Sequence, residues 1–343
     1  MRLGIVSGYS GPQMNKTMEV ILEAERLGYD SVWTGEAWGS DVVTFLAFVG
    51  ARTSKIKLGA GIMQMQARTP AMTAMTAMTL DGLTNGRFLI GIGPSNPQVI
   101  EGWHGVPYGK PLQRYREYIQ IIRKILKREE ALSFDGKEYQ IPYRGPGASG
   151  LGKPLKSILH GRPDMKIYTA SISPKGIELA GELADGILPV WMAPEWYDQL
   201  FRPHLDAGFA KAGPSKNKSD FDFSPYVTCV MGSDIEKCRE PVKASLALYI
   251  GGMGARNKNF YNSYVRNFGY EDLATQLQDL YLSGKKNEAQ AAVPNELVDA
   301  VALVGPKEHI RDQLARWKSS AVTTMLIGTN QPEALRTLAE LCL

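Results

Sequence analysis

The chain has 343 residues, 44% hydrophobic and 22% charged, with a formal net charge of +4. That is ordinary globular composition, long enough for one large α/β domain or two medium ones. The charge is weak and no basic run exceeds the short "GKK" near Lys285, which argues against nucleic acid as a partner.

In chain order, "LGIVSG" (3–8) reads as a strand bounded by glycine, and "KTMEVILEAERLG" (16–28) as a helix closed by Gly28. "DSVWTGEA" (30–37) is a second strand and 42–53 a second helix. "KIKLGAGIM" (55–63) is a third strand. "PAMTAMTAMTLDGLTN" (70–85) is a third helix with Pro70 in its first turn, and "RFLIGIG" (87–93) a fourth strand. Asn85-Gly86 ends that helix, and Arg87 and Asp81 are expected to pair across the turn. "FLIGIG" is near-continuously apolar, as a parallel strand covered on both faces should be.

The alternation continues with a helix over 111–127, a strand over 165–171 and a helix over 174–184. A strand over 185–191 precedes helical 194–212, and a strand over 223–231 precedes a helical region from Ile235. The last strand, 323–328, lies between helices over 306–318 and 332–342. Eight strands alternating with helices close most simply into a (β/α)8 TIM barrel, because parallel crossovers are right-handed. No G-x-G-x-x-G follows the first strand, so an open doubly wound sheet is the lesser alternative. The chain reads as a single barrel domain over 1–343 with two insertions, 128–164 and 252–304, each a lid, an assembly surface or plain decoration.

Cys229, Cys238 and Cys342 are too scattered for a disulfide framework or a zinc site, and no metal is expected. "RLGIVSG" is too short for a secretory h-region, and no apolar run nears the ~18 residues of a membrane helix. A cytoplasmic protein without membrane partners is expected. On helix 70–85, Met72, Met75 and Met78 read as packing residues or a flexible groove. Thr73, Thr76 and Thr79 are read as sharing one buried or dimer-facing side. Of the four histidines, His160, His204 and His309 are read as surface residues.

Three stretches carry a family resemblance: "RTPAMTAMTAMTLDGLTNGRFLIGIG" (68–93), "GWHGVPYGKPLQRYREYIQIIRKIL" (102–126) and "IELAGELADGILP" (177–189). With "LEAERLGYDSVWTGEA" (22–37), they resemble the bacterial luciferase-like oxidoreductases, and within them the branch that uses coenzyme F420, over nearly the whole chain. The resemblance implies a TIM barrel with the deazaflavin at the carboxyl ends of the strands, a small-molecule substrate and a homodimer. It implies a non-prolyl cis bond at Gly61–Ile62 backing the ring; a glycine that merely lets the strand end is the alternative. Met63, Gln64 and Gly93 would line the same floor. The cofactor phosphate would lie on the loop Ala170, Ser171, Ile172 and Ser173, although many members carry glycines where this chain has Ser171-Ile172-Ser173. The alternative there is an ordinary N-cap before Pro174.

Two departures bear on chemistry. Where members carry an Asp-His pair after the second strand, this chain has Glu36-Ala37. Where sugar-phosphate-oxidising members have a glutamate past strand four, it has Asn96, which can donate a hydrogen bond but transfers no proton at neutral pH. A sugar phosphate is therefore a poor guess for the substrate. Glu36 is expected at the site floor, facing the ring and able to hold a proton, or else in a salt bridge with Arg52 or Arg68. His104 is a proton shuttle or a structural loop histidine. Trp38 and Trp191 each follow a strand and would wall a planar ligand. The expected activity is F420-dependent hydride exchange. FMN-dependent monooxygenation and a catalytically silent cofactor-binding protein are the alternatives.

Overall fold

A computed structural model describes residues 1–8, 12–14, 18–214, 216–256 and 258–343. The strands are β1 (Arg2–Val6), β2 (Ser31–Thr34), β3 (Lys57–Ala60), β4 (Met63–Gln64), β5 (Phe88–Gly93), β6 (Phe134–Asp135), β7 (Gln140–Ile141), β8 (Ile167–Thr169), β9 (Gly186–Ile187), β10 (Asp222–Phe223), β11 (Tyr226–Met231), β12 (Ala302–Gly305) and β13 (Thr324–Gly328). All but β6 and β7 belong to one parallel sheet in the order β10-β9-β8-β5-β3-β2-β1-β13-β11-β12, with β4 also on β5. Only Ser224 and Pro225 separate β10 from β11. Because β10 pairs β9 and β11 pairs β13, that single segment closes the ring. Backbone bonds from Ser224 N to Ile187 O (3.0 Å) and from Leu326 N to Pro225 O (2.9 Å) seal the junction. The expected eight-strand barrel is therefore present.

The strands are apolar on both faces because helices cover the outside while Trp33, Tyr168, Leu188 and Leu326 fill the inside. Helix boundaries follow local chemistry. Thr69 Oγ1 accepts from Met72 N (3.1 Å) ahead of Pro70, and at the far end Asn85 and Gly86 both take left-handed backbone (φ 54° and 80°). The start of the helix read at 16–28 lies outside the described residues at 16–17; its described part is Met18–Arg26.

The Arg87–Asp81 pair does not form. Arg87 instead reaches the carboxyl end of helix Val42–Arg52, donating to Gly50 O (3.0 Å), Thr53 O (2.9 Å) and Ile56 O (2.8 Å). A guanidinium satisfies several orphan helix carbonyls at once, which a lone carboxylate cannot use it for. Asp81 takes Arg162, from the first insertion, in a two-pronged pair (2.8 and 2.9 Å). The methionines divide, with Met78 buried but Met72 and Met75 exposed, so they form no single packing stripe. Nor do the threonines share a side: Thr73 is buried against the Tyr118 hydroxyl (2.5 Å), while Thr79 is exposed.

The insertion 128–164 carries the antiparallel hairpin β6–β7, and Glu117 on the barrel fastens it. Its carboxylate accepts from Lys137 N (2.8 Å), Glu138 N (2.9 Å), Tyr139 N (2.9 Å) and Gln113 Nε2 (2.7 Å). Burial acts to raise this carboxyl, but the four donors outweigh it and hold it below the ordinary carboxylate range. The second insertion does not consist of helices alone. It ends in β12, a ninth parallel strand beside the outer half of β11, so the helical part stops at Val301. With the preceding helix Ile235–Ala247, its helices form a second apolar cluster around Leu246, Leu277 and Val298. His309 is not a plain surface residue, because its Nε2 is buried without a partner. No helix among the described residues is long and apolar enough to cross a membrane.

Candidate functional site at the carboxyl ends of the strands

In a parallel barrel the carboxyl ends of the strands and the loops after them form the mouth, so that is where a ligand site is sought. The third strand reaches it through a bulge. β3 ends at Ala60, the Gly61–Ile62 peptide bond is cis, and the chain resumes as β4 against β5. Glycines leave room for this turn. A Cβ on Gly35 would lie 2.5 Å from Gly61 O, and one on Gly91 would overlap Ala60 O. Ala60, Met63 and Gln64 are fully buried, whereas Gly61 is exposed. Half-buried Val6, Ile62 and Ala170 pack on Trp33, Leu188 and Leu326. The floor of the mouth is thus apolar, with one open glycine.

Glu36 stands beside this floor, its side chain 8% exposed. One carboxylate oxygen accepts from Gln64 N (2.9 Å) and pairs with Arg68; the other accepts from Val42 N (3.3 Å). The ion pair is with Arg68 and not Arg52, and Arg68 also holds Asp41. Glu36 therefore clamps the strand that follows the bulge, with both oxygens engaged.

Gln64 joins three loops. Its amide nitrogen donates to Ala37 O (3.0 Å), Glu36 O (3.3 Å) and Ser95 Oγ (3.3 Å), and its amide oxygen meets His104 Nε2 at 2.6 Å. His104 is thereby brought onto the floor; its neighbour Trp103 is 66% exposed, and Trp38, next to Ala37, is 56% exposed. Ser95 holds left-handed backbone (φ 55°), and its carbonyl accepts from the Tyr108 hydroxyl (3.3 Å). Burial pushes that phenol up to about 12, so it stays a neutral donor.

Asn96 is a helix cap: its Oδ1 accepts from Val99 N (2.9 Å) ahead of Pro97. Ser173 plays the same part for helix Pro174–Leu183, accepting from Gly176 N (3.2 Å). Gly176 allows the loop to close over it, since a Cβ there would lie 2.9 Å from Ser171 Cβ. Ser171 is buried, and Ala170 and Ile172 are partly open. Gly93 is buried under Ile62. Trp191 does not wall an open mouth. It is 7% exposed and packs edge-on against Tyr249 (4.8 Å), just ahead of the second insertion, and Tyr261 (5.3 Å) within it.

Sequence reasoning missed Tyr115 and Trp103. The Tyr115 hydroxyl donates to Ile92 O (3.0 Å) and Ala170 O (3.1 Å), tying two strand ends under the mouth. Tyr115 on the apolar face of helix 111–127 was the available signal; Trp103 was signalled by its place in a glycine-bounded loop.

A closed parallel barrel with an apolar mouth at the carboxyl ends of its strands defines an α/β-barrel scaffold of the kind that hosts enzyme sites. Within that class the chain belongs to the luciferase-like monooxygenase family, whose model matches residues 1–324. It is 41% identical, over 99% of both chains, to a Mycobacterium tuberculosis protein named "Putative coenzyme F420-dependent oxidoreductase Rv3520c". It is 26% identical to the 5,10-methylenetetrahydromethanopterin reductase of Archaeoglobus fulgidus, over 89% of this chain and 87% of that one. Among solved structures it shares the fold of the coenzyme F420-dependent tetrahydromethanopterin reductase of Methanopyrus kandleri. That match has a TM-score of 0.78 at 21% identity and covers 99% of this chain and 97% of that one. It also shares the fold of an F420-dependent secondary alcohol dehydrogenase, with a TM-score of 0.76 at 17% identity, over 99% of this chain and 97% of that one.

Proposed function

We propose that this chain is a coenzyme F420-dependent oxidoreductase acting on a small organic substrate. The observation that carries the reading is the exposed Gly61, set in an apolar floor otherwise closed by buried side chains. A planar tricyclic ring needs a flat apolar support approached by backbone, and a glycine lets that approach happen. The whole-length relative of 41% identity favours F420 over FMN.

When bound, the deazaflavin supplies hydride exchange at its C5. The chain's own residues supply the rest. Gly61, Ile62 and Ala170 support the ring, with Met63, Gln64 and Gly93 behind them. The loop Ala170, Ser171, Ile172 and Ser173, at the start of helix Pro174–Leu183, offers backbone N–H groups to the phosphate. Trp38 and Trp103 flank the opening and favour an apolar substrate. His104 is the group that moves a proton. Glu36 and Asn96 shape the floor and the adjoining loop. The exposed Met72, Met75 and Leu83 on helix Pro70–Leu83, with Phe48 on the preceding helix Val42–Arg52, form the face on which a second copy would pack.

Titration of the purified protein with F420 and with FMN, read by absorbance and fluorescence, tests the reading. Binding of F420 alone supports it. Binding of FMN alone makes the chain a flavin-dependent monooxygenase. F420 binding without turnover across a broad panel of alcohols and carbonyl compounds makes it a silent cofactor-binding protein. Light scattering on the same sample measures the oligomer.

A further inference from the structure

The orientation of the Gln64 amide is fixed by its neighbours. Two of the three acceptors around its nitrogen, Glu36 O and Ala37 O, are backbone carbonyl oxygens, which only accept. That end of the side chain is therefore the NH2 group, and the end 2.6 Å from His104 Nε2 is the carbonyl oxygen. Two acceptors do not bond to one another, so His104 Nε2 carries the hydrogen. In the neutral ring the lone pair then sits on Nδ1, which has no hydrogen-bond partner among the described residues. Gln64 is fully buried, so no water competes for its oxygen.

The other ionisable groups around this node are committed elsewhere. Behind Gln64, both oxygens of Glu36 are engaged and Arg68 bridges Glu36 to Asp41. On the loop of His104 itself, Glu101 accepts from Tyr108 N (3.2 Å) and the Tyr108 hydroxyl donates to Ser95 O. None of these hydrogen-bonds to His104.

We propose that Gln64 is a positioning residue that locks His104 as the Nε2–H tautomer, making Nδ1 the atom at which the site takes up and returns the proton of the substrate oxygen. The proposal rests on the oxidoreductase reading above. It explains how the site works with alanine at position 37: the imidazole enters from the loop after β5 and is oriented by an amide anchored on the backbone of residues 36 and 37. When a substrate hydroxyl gives up its proton, the proton goes to Nδ1 and the ring becomes cationic. In the reverse direction Nδ1–H returns it to the substrate oxygen. Both leave the Nε2–H bond to Gln64 intact.

The test uses the free protein, labelled with 15N-histidine, before any cofactor is added. The chain has four histidines, and His104→Asn assigns the resonance of interest. At about pH 8.5, where an ordinary histidine is neutral, the parent is expected to show the His104 ring with a pyrrole-type Nε2 and a pyridine-type Nδ1. Gln64→Met keeps the volume and removes the acceptor. In it the tautomer ratio is expected to shift by about tenfold toward a mixture, as in free imidazole. The pH profile of turnover should move, and kcat should fall more than F420 affinity does. A parent with Nδ1–H, or a tautomer ratio unmoved in Gln64→Met, overturns the proposal; the parent spectrum decides even if the variant does not fold. Failure of the parent to bind F420 overturns the functional reading instead, and is measured separately from the tautomer.

Discussion

Substituting Gly61 by alanine separates the ring floor from the fold. A methyl built on Gly61 would lie 3.4 Å from Trp33 Cε3, 3.8 Å from Trp33 Cβ and 3.9 Å from Leu188 Cδ1, all ordinary contact distances. The barrel thus has room for it, and the lower chain entropy of alanine in the unfolded state acts in its favour. Stability is expected to change by less than about 0.5 kcal/mol. A ring lying on that backbone has no such room. An added methyl in a close-packed contact costs about 1–3 kcal/mol, which is roughly a 5- to 150-fold rise in Kd. The assay is a fluorescence titration with F420 beside a thermal melt of the same sample. Gly91→Ala is the control, because its methyl would overlap Ala60 O and should damage the fold itself. If Gly61→Ala melts like the parent and also binds F420 as tightly, the bulge is not the floor of the ring.

Ser173→Asp keeps a good N-cap, so the melting temperature should hold, while the added charge at the helix start should weaken F420 binding about tenfold at low salt and less at high salt; unchanged low-salt affinity moves the phosphate elsewhere. Glu36→Gln loses the ion pair to Arg68 and weakens two backbone contacts, so stability should drop by about 1–3 kcal/mol and F420 affinity should fall with it, because β4 is released. Weaker binding with an unchanged melt would show that Glu36 acts on the ligand directly. The Glu117 carboxyl is held below its unfolded value, so its contribution is fully present above the unfolded value of about 4.3 and is lost as pH falls through the lower folded one. The protection factors of the Lys137, Glu138 and Tyr139 amides, taken against the intrinsic exchange rate at each pH, should therefore fall in acid ahead of global unfolding, and Glu117→Gln should reproduce the effect at neutral pH; protection of those amides unaffected by either change refutes the pinning.

What was legible in the sequence was local. "FLIGIG" reads as a covered parallel strand because both its faces are apolar, and Thr69-Pro70 and Ser173-Pro174 mark helix starts through a hydroxyl acceptor followed by a residue needing no donor. Asn96-Pro97 carries the same signature, so its cap is legible locally even though the resemblance sets it opposite a catalytic glutamate. The cis bond at Gly61–Ile62 was legible only through the resemblance. The partners of Asp81 and Gln64 were not legible, because they lie tens of residues away and are set by how the loops meet: Arg162 for the one, Ala37 and His104 for the other. β12 was hidden because "ALVG" continues the apolar run of helix Asn295–Val301, and so short a stretch has no period of its own. Trp191 was misjudged because a residue after a barrel strand faces the mouth only if no other segment covers it.

The pairing of β11 with β12 makes the helical segment between them, which holds most of the second insertion, a module with a latch. Met231 and Gly305 are register partners, so the chain leaves the barrel and returns to it at adjacent points although dozens of residues intervene. A segment whose ends already touch can change length at little entropic cost, since loop closure depends only logarithmically on length. Most of its buried apolar side chains form a cluster of their own, with Tyr264 and Phe268 joining it to the barrel's. Evolution or an engineer could exchange such a segment without disturbing ring closure at β10 and β11. The exchange would still be felt by the barrel, because Tyr249 and Tyr261 carry the rings that pack on Trp191 just after a barrel strand. The scaffold thus separates what closes the ring from what is added to it: the bulge and its amide stay with the barrel, while the added helices hang from one strand pair.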